Sequence, residues 1–226
     1  MVAILAIVAG GLVASMGGVR APAQRDLARH EMAQVREALL RFEADTGYLP
    51  GEGPFDLAGR GVGAVSASRI EELGVPALQV EEWADSAANL WQLVLNPLPD
   101  HPLASWDPDR RRGWRGPYLS MGSEGQVRAG FLDRRIAPGV DADAALHGVA
   151  LSGVPAVADP FVHPCGEAGQ LSWAPFPAGA DLEQQGSPYL LIVPSDRQQA
   201  RLICLGENHQ LEPQGSGDDL VLYLYR

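Results

Sequence analysis

The sequence contains no lysine, and all 17 of its basic residues are arginine. With 26 glycines, 18 prolines and much alanine, we interpret this as the coding bias of a GC-rich genome rather than as function. The 28 acidic residues give a net charge of -11, which argues against a nucleic-acid groove, where phosphate binding needs clustered cations. Residues 136–226 hold 3 arginines against 11 acids, and this excess leaves room for a bound cation.

Cysteine is scarce, with Cys165 and Cys204 as the whole set. Because they form no CxxC pair, the spacing gives a zinc site no support. A disulfide between them would suit an oxidising compartment, and two buried free thiols suit the same sequence almost as well. The extracytoplasmic location indicated by the rest of the chain favours the disulfide.

The common catalytic motifs are also missing. The chain has no HExxH, no G-x-S-x-G and no glycine motif that would cradle phosphates. His163 lies two residues before Cys165, but both belong to a Gly- and Pro-rich stretch, where we favour a structural interpretation over a catalytic pair. We therefore expect neither an enzyme nor a small-molecule substrate.

Charge is absent from the first 19 residues, and Arg20 is the first ionisable side chain. As a helix this segment would rise about 28 Å, roughly one hydrocarbon core. A signal peptide would begin with a basic region, which this segment lacks. The small residues near Arg20 would still suit a signal-peptide cleavage site, so this interpretation stays as an alternative. A buried core helix would be unusually long without charge. A transmembrane anchor agrees best with the pattern.

The next segment, Ala23 to Thr46, has no glycine or proline and is amphipathic. Its apolar residues recur every three or four positions, which is typical of one helix face: Met32, Val35, Leu39 and Phe42. Its charged residues are expected on the other faces: Asp26, Glu31, Glu37 and Glu43 with Arg25, Arg29, Arg36 and Arg41. Gly47 is the expected stop, with Pro50 beyond it. The pattern predicts one helix from about residue 3 to residue 46.

The remainder predicts an α+β head. Ser86 to Asn96 has the apolar spacing of a second helix with Trp91 in the core. Residues 120–186 show no periodic stretch and are expected to form an irregular insertion. Three apolar runs near the C-terminus predict antiparallel strands: Tyr189–Val193, Arg201–Leu205 and Leu220–Tyr225. The expected division is a membrane half at 1–22 and a head at 23–226.

Residues 106–119 read WDPDRRRGWRGPYL and allow two interpretations. Three consecutive arginines between Trp106 and Trp114 could form a surface that stacks on bases and binds phosphates. Alternatively, the aromatic side chains cap the core while the arginines are solvated or paired with Asp107 and Asp109. We favour the second interpretation.

Two of these segments resemble a known family. The run LLRFEADTGYLP at 39–50 is similar to the end of the long helix in type II secretion pseudopilins and related prepilin-like proteins, and GWRGPYL at 113–119 resembles their passage from helix to sheet. Asp159-Pro160-Phe161 resembles their Asp-Pro-Trp turn. The resemblance implies a pilin-like fold, in which a long apolar and amphipathic helix packs on a small antiparallel C-terminal sheet.

The chain departs from this family at its N-terminus. The family's processing motif, of the Gly-Phe-Thr-Leu-Leu-Glu type, has no counterpart, and Met1-Val2-Ala3-Ile4 is similar to the stretch just after that motif. Either the true start lies upstream, which we favour, or this is a member that is not processed. In the second case the cleavage site and the assembly glutamate are missing.

A calcium site is suggested by the segment 205–219, LGENHQLEPQGSGDD. Its oxygen-rich side chains suit a hard cation, although the EF-hand spacing is absent. The segment resembles the final loop of major pseudopilins, which binds calcium. The resemblance places Asn208 at the first acidic position and matches Asp218 and Asp219 to the terminal acids, while a plain β-turn without metal suits the sequence equally well.

The resemblance implies a structural subunit of a type II secretion-like periplasmic filament. Its expected partners are other pseudopilin or pilin subunits, contacted through the N-terminal helix, and the inner membrane, which it would cross once with its head in the periplasm. No nucleic-acid partner is expected. The alternative is a type IV minor pilin in adhesion or DNA uptake, with Arg110 to Arg115 as the contact.

Overall fold

The computed structural model describes residues 2–56, 87, 89–102, 104–119, 127–136, 146–157, 159–161, 172–175, 187–194, 196–208 and 217–226. For residues 2–21 and for strands β1 to β3 it describes the backbone alone. Within the described residues one α-helix precedes two three-stranded sheets, so the fold is α+β. The elements are α1 (Val2–Thr46), β1 (Val127–Ile136), β2 (Leu146–Ala156), β3 (Ser172–Pro175), β4 (Leu190–Ile192), β5 (Arg201–Cys204) and β6 (Leu220–Tyr223).

The N-terminal helix α1 ends where the sequence predicts. The predicted helix is confirmed over its second half, and its helical backbone extends to Val2. Gly47 takes a φ of 84°, and its N–H donates to the carbonyl of Glu43 at 2.7 Å, which closes the helix with a left-handed residue. Among the residues whose side chains the structure describes, no helix is long and apolar enough to cross a membrane.

The predicted apolar stripe of α1 is the main contact of the helix with the head. Met32, Val35, Leu39 and Phe42 are all buried, and they pack in one core with β4, β5 and β6. The ring of Phe42 also meets Phe55 edge-on, with centroids 4.8 Å apart. Burial of such side chains removes apolar surface from water and stabilises the docking of helix on sheet.

The C-terminal sheet confirms the three predicted strands. Its order is β4-β5-β6 and all pairs are antiparallel, with Leu190 opposite Ile203 and Leu202 opposite Leu222. Every residue of the central strand β5 is buried. The sequence predicts apolar side chains on both faces of β6, and the structure leaves Val221 exposed while Leu224, just beyond the strand, is buried.

The expectation of an irregular segment at 120–186 is wrong at three places. Three strands lie in this segment. Strands β1, β2 and β3 form an antiparallel sheet in the order β2-β1-β3, with a register shift between Ala129 and Gly130. Glycine, proline and arginine interrupt the apolar alternation of these strands, so a local pattern does not reveal them. Backbone pairing between distant residues defines them instead.

The predicted helix at Ser86–Asn96 is also wrong. Among its described residues the backbone forms one 3-10 turn, Trp91–Leu93. The side chain of Asn89 accepts the N–H of Trp91 at 3.3 Å, and the carbonyl of Leu93 accepts from Tyr118 at 2.7 Å, so these groups bond outside a helix. Trp91 is buried, as predicted. The stretch Ser68 to Trp83, whose sequence mixes a short helical pattern with Pro76, lies outside the described residues.

Candidate functional site

The proposed calcium residues meet at the turn that follows β5. The carboxylate Oδ2 of Asp218 accepts the backbone N–H groups of Glu207 and of Asn208, the latter at 3.2 Å. Gly206, with a φ of 64°, allows this approach, because a Cβ there would lie 2.6 Å from the same oxygen. The structure therefore brings Asn208 and Asp218 together, with Asp219 next to them at the start of β6.

The chemistry of this turn is compatible with a hard cation. Carboxylate and amide oxygens are the donors that calcium takes, and one oxygen of Asp218 already holds the turn. The described residues include no group of three or more histidine, cysteine or acidic side chains that could hold a metal ion. Residues 209–216 lie outside the described part of the chain, so the calcium site stays a prediction.

The structure describes one of the two cysteines of the predicted disulfide, Cys204. Cys204 is a buried free thiol in β5, and its Sγ donates to Oδ2 of Asp159 at 3.4 Å. Burial, and then the neighbouring Asp159 carboxyl, raise the pKa of this thiol, so it stays protonated at neutral pH. Cys165 lies outside the described residues, and its pairing with Cys204 stays a prediction.

Asp159 is the buried group that the sequence pattern does not reveal. Its carboxylate Oδ1 accepts the N–H of Phe161 at 3.0 Å and that of Ser187 at 3.3 Å, while its own N–H donates to the carbonyl of Ser187 at 2.8 Å. These bonds and the thiol of Cys204 tie the segment before β4 to β5. The Asp-Pro-Phe turn indicates where this residue lies but gives no sign that it is 3% exposed.

The electrostatics of Asp159 follow from this burial. Loss of water is the largest influence and raises the pKa of the carboxyl from 3.8 to about 7. The hydrogen bonds from Ser187, Cys204 and Phe161 act in the opposite direction, and the charge of Glu31 raises the pKa further. The carboxyl of Asp159 therefore gains or loses its proton near neutral pH.

Polar contacts fix α1 on the C-terminal sheet. The hydroxyl of Tyr189 donates to Glu31 at 2.7 Å, and that of Tyr225 donates to Glu43 at 2.8 Å. Nε of Arg36 donates to the carbonyl of Leu224 at 2.9 Å. These three charged residues lie beside the buried apolar stripe, where the sheet brings hydroxyl and carbonyl partners to them.

Residues 106–115, here called the arginine loop, form a tight turn. Its ends are joined by two backbone bonds, from the N–H of Asp107 to the carbonyl of Arg112 at 2.7 Å and from the N–H of Arg112 to the carbonyl of Asp107 at 3.3 Å. The side chain of Asp107 accepts the N–H groups of Asp109 and Arg110 at 2.9 and 3.1 Å. This arrangement holds Arg111 at a φ of 52°, which is uncommon for a residue with a Cβ.

The arginine loop is anchored at the C-terminal end of α1. The N–H of Gly113 donates to the carbonyl of Asp45 at 2.9 Å, and the indole N–H of Trp114 donates to the carbonyl of Gln92 at 2.7 Å. The rings of Trp114 and Tyr118 pack edge-on with centroids 5.6 Å apart. The prediction that aromatic side chains cap the core is confirmed for these two residues, which pack against it.

Four arginine side chains of this loop are exposed. The guanidinium of Arg115 lies over the ring of Trp106, 5.0 Å from its centroid. Arg110 pairs with Asp107 at 3.6 Å, as the sequence predicts. Arg112 lies against the end of α1, where a Cβ on Gly47 would be 2.7 Å from its Nη1. Such guanidinium groups can bind carboxylate or phosphate oxygens.

Comparisons of the chain with protein-family models, with curated proteins and with solved structures give no match. The pseudopilin resemblance therefore depends on the sequence motifs at 39–50 and 113–119. In the structure these two motifs meet, because Gly113 bonds to the last turn of α1 and Tyr118 packs edge-on against Phe42, with ring centroids 5.5 Å apart.

Proposed function

We propose that the chain is a structural subunit, a pseudopilin, of a type II secretion-like periplasmic filament and that it catalyses no reaction. The observation that carries the proposal is the continuity of α1, which extends over 45 residues. The described hydrogen bonds from α1 to the rest of the head begin at Gln24, whose side chain donates to the carbonyl of Pro160 at 3.0 Å. The head thus holds the second half of the helix.

In this proposal the first half of the helix both anchors the chain in the membrane and packs against other subunits. Residues 2–19 are uncharged and, as a helix, span about 27 Å, close to the thickness of a hydrocarbon core. This segment crosses the inner membrane once, with the head in the periplasm. In the assembled filament the same segments pack against one another, so the partners are other pseudopilin or pilin subunits.

A non-catalytic role is supported by what the buried ionisable groups do. Tyr189 and Cys204 bond to Glu31 and Asp159, and all four side chains join elements of the head to one another. Burial raises the pKa of the Cys204 thiol, which leaves it a poor nucleophile. In this proposal the polar interior has a structural purpose.

Calcium belongs to the proposal as a structural ion. Asn208, Asp218 and Asp219 would supply oxygen ligands between β5 and β6, and the ion would offset the repulsion between the two aspartate carboxylates. A neutral ligand at Asn208 implies weak affinity, about 10⁻⁴ to 10⁻³ M. No step of assembly is assigned to the ion itself.

A type IV minor pilin is the second candidate, and the exposed arginine loop favours it. In that case Arg110 to Arg115 contact a surface or DNA during adhesion or uptake. The two candidates differ in the partner of this loop and share the apolar helix and the head.

Membrane fractionation of the full chain in bacterial cells tests the proposal. We expect the chain in the inner membrane, with its head digested by protease added to spheroplasts and protected in intact cells. Val8→Arg places a charge at the centre of the apolar segment, which costs about 2.5–3.5 kcal/mol of insertion free energy, and should move the chain out of the membrane. Val8→Leu is the matched control and should remain. Recovery of the unmodified chain in the soluble fraction would contradict the proposal.

A further inference from the structure

The charge of the arginine loop opposes that of the rest of the molecule. Residues 106–115 contain four arginines and two aspartates, a net charge of +2, in a chain whose net charge is -11. Everything outside the loop therefore carries a net charge of -13. Opposite charges on different parts of one molecule make two copies complementary to each other.

The loop presents its cations in a fixed arrangement. One aspartate, Asp107, is used inside the loop, where it accepts two backbone N–H groups and pairs with Arg110. Among the described residues, no carboxylate forms an ion pair with the exposed guanidinium groups of Arg111 or Arg115. Because the backbone of the loop is closed and anchored to α1, little further ordering is needed when an anion binds.

The position of the loop separates it from the apolar helix. Gly113 bonds to Asp45, which lies 23 residues beyond Pro22 along α1, about 35 Å. A contact made by the loop is therefore made at the end of the head far from the membrane segment. It can act in addition to the packing of the apolar segments.

We infer that the arginine loop of one copy binds carboxylates on the head of a neighbouring copy. This inference rests on the proposed filament function and names a second contact within it. A loop on one copy and a different, acidic surface on the next form a heterologous contact, which repeats without closing and so suits a filament. A long polyanion such as DNA is disfavoured, because the acidic remainder of the molecule repels it.

Photo-crosslinking of the full chain in bacterial membranes tests this contact. A photoreactive phenylalanine analogue replaces Asp109, an exposed residue of the loop. We expect a product with twice the mass of the chain, and less of it in about 500 mM than in about 50 mM salt, since salt screens exposed charges.

Two double variants identify the charges responsible. Arg111→Asn with Arg115→Gln removes two loop cations, and asparagine tolerates the positive φ at position 111. Arg29→Gln with Arg41→Gln removes two exposed cations of α1 and is the matched control. We expect the loop variant to lower the cross-linked yield by about 2- to 30-fold, the loss of two exposed ion pairs, and the control to leave it unchanged.

The outcomes separate this inference from the proposed function. An equal fall in both double variants, or no cross-link in a chain that fractionates with the membrane, overturns the contact and leaves the filament proposal standing. A chain absent from the membrane overturns the filament proposal itself. Binding of double-stranded DNA by the full chain that is lost in the loop variant, without a cross-link between copies, overturns the contact in favour of a polynucleotide partner.

Discussion

At the scale of single residues, Asp159 links the stability of the head to pH. Because burial raises its pKa from 3.8 to about 7, the folded state holds this proton more tightly than the unfolded chain. Its contribution to the free energy of unfolding is fully present below pH 3.8 and is lost as the pH rises to about 7. The hydrogen bonds from Phe161 and Ser187 persist in both protonation states.

Replacing Asp159 by asparagine should remove this pH dependence. Asparagine keeps a carbonyl oxygen for the two backbone N–H groups and is never charged, so the variant should gain stability relative to the unmodified chain as the pH rises from 4 to 7. The free energy of unfolding of the full chain in detergent, measured across this range, checks it. Asp109→Asn changes an exposed carboxyl and is the control. A difference between Asp159→Asn and the unmodified chain that does not change with pH would contradict the account.

Alanine substitutions at two glycines with positive φ should distinguish the cost of backbone strain from the cost of steric overlap. Gly51 has a φ of 85° and open space where a Cβ would lie, while Gly113 has a φ of 118° and a Cβ there would overlap the carbonyl of Ser105. Gly51→Ala should cost about 1 kcal/mol of stability, from left-handed strain alone. Gly113→Ala should cost more, because the arginine loop must shift as well. Equal losses in thermal unfolding would show that the loop is not packed as described.

At the scale of elements, local pattern predicts those that one strong period defines. Helix α1 has a stripe at intervals of three and four and a glycine stop, and β5 and β6 are largely apolar runs between turns. Their positions could be predicted because hydrophobic burial and local geometry require the same structure. The Trp91 segment could not, since it forms only a short 3-10 turn and its backbone also bonds to Tyr118 and to an asparagine side chain.

Features that depend on contacts between distant residues could not be predicted from the sequence. The strands β1 to β3 pair across intervals of ten or more residues, and their glycines and arginines obscure the alternation. The candidate site was predicted in part: the arginines and the acidic turn could be named from composition, whereas the burial of Asp159 and the contacts of Glu31 with the sheet depend on tertiary packing. A single sequence does not contain that information in a local form.

The two tyrosine contacts between α1 and the sheet should differ in strength. Tyr189 is fully buried and bonds to Glu31, so Tyr189→Phe removes a hydrogen bond to a charged group and should cost about 1.5–3 kcal/mol. Tyr225→Phe should cost less, because Tyr225 is partly exposed and its partner Glu43 also pairs with Arg197 at 3.2 Å. Urea unfolding of both variants measures the two losses. A larger loss at Tyr225 would reverse the order of the two contacts.

The turn between β5 and β6 gives a prediction about calcium. If Asn208, Asp218 and Asp219 hold the ion, a hundredfold excess over the dissociation constant should stabilise the folded chain by about 2.7 kcal/mol. Asp219→Asn should weaken this effect while leaving the bonds from Glu207 and Asn208 to Asp218 intact. Thermal unfolding in about 10–100 mM calcium against chelator, a hundredfold excess over the expected dissociation constant, measures both. An unchanged melting temperature of the unmodified chain would mean that the turn binds no calcium.

At the scale of the whole molecule, the two ends of the helix have different partners in this account. In the proposed filament the uncharged first half, residues 2–19, would pack with equivalent segments. The second half is held by the head through a buried stripe and the bonds of Glu31 and Glu43. The arginine loop lies at the far end. Because a rigid helix would connect both ends, the spacing at which the apolar segments pack would also set the spacing of the arginine loops.

The most direct test of the central claim is disulfide cross-linking between apolar segments in the membrane. Cysteines at Leu5 and Gly18 lie near the two ends of the segment, so in staggered neighbouring helices one copy's first cysteine meets the next copy's second. The full chain carrying both cysteines should form a ladder of dimers, trimers and larger species on mild oxidation, and the unmodified chain and a Gln198→Cys control should form none. A membrane-inserted double variant that remains monomeric under oxidation would contradict assembly through this helix.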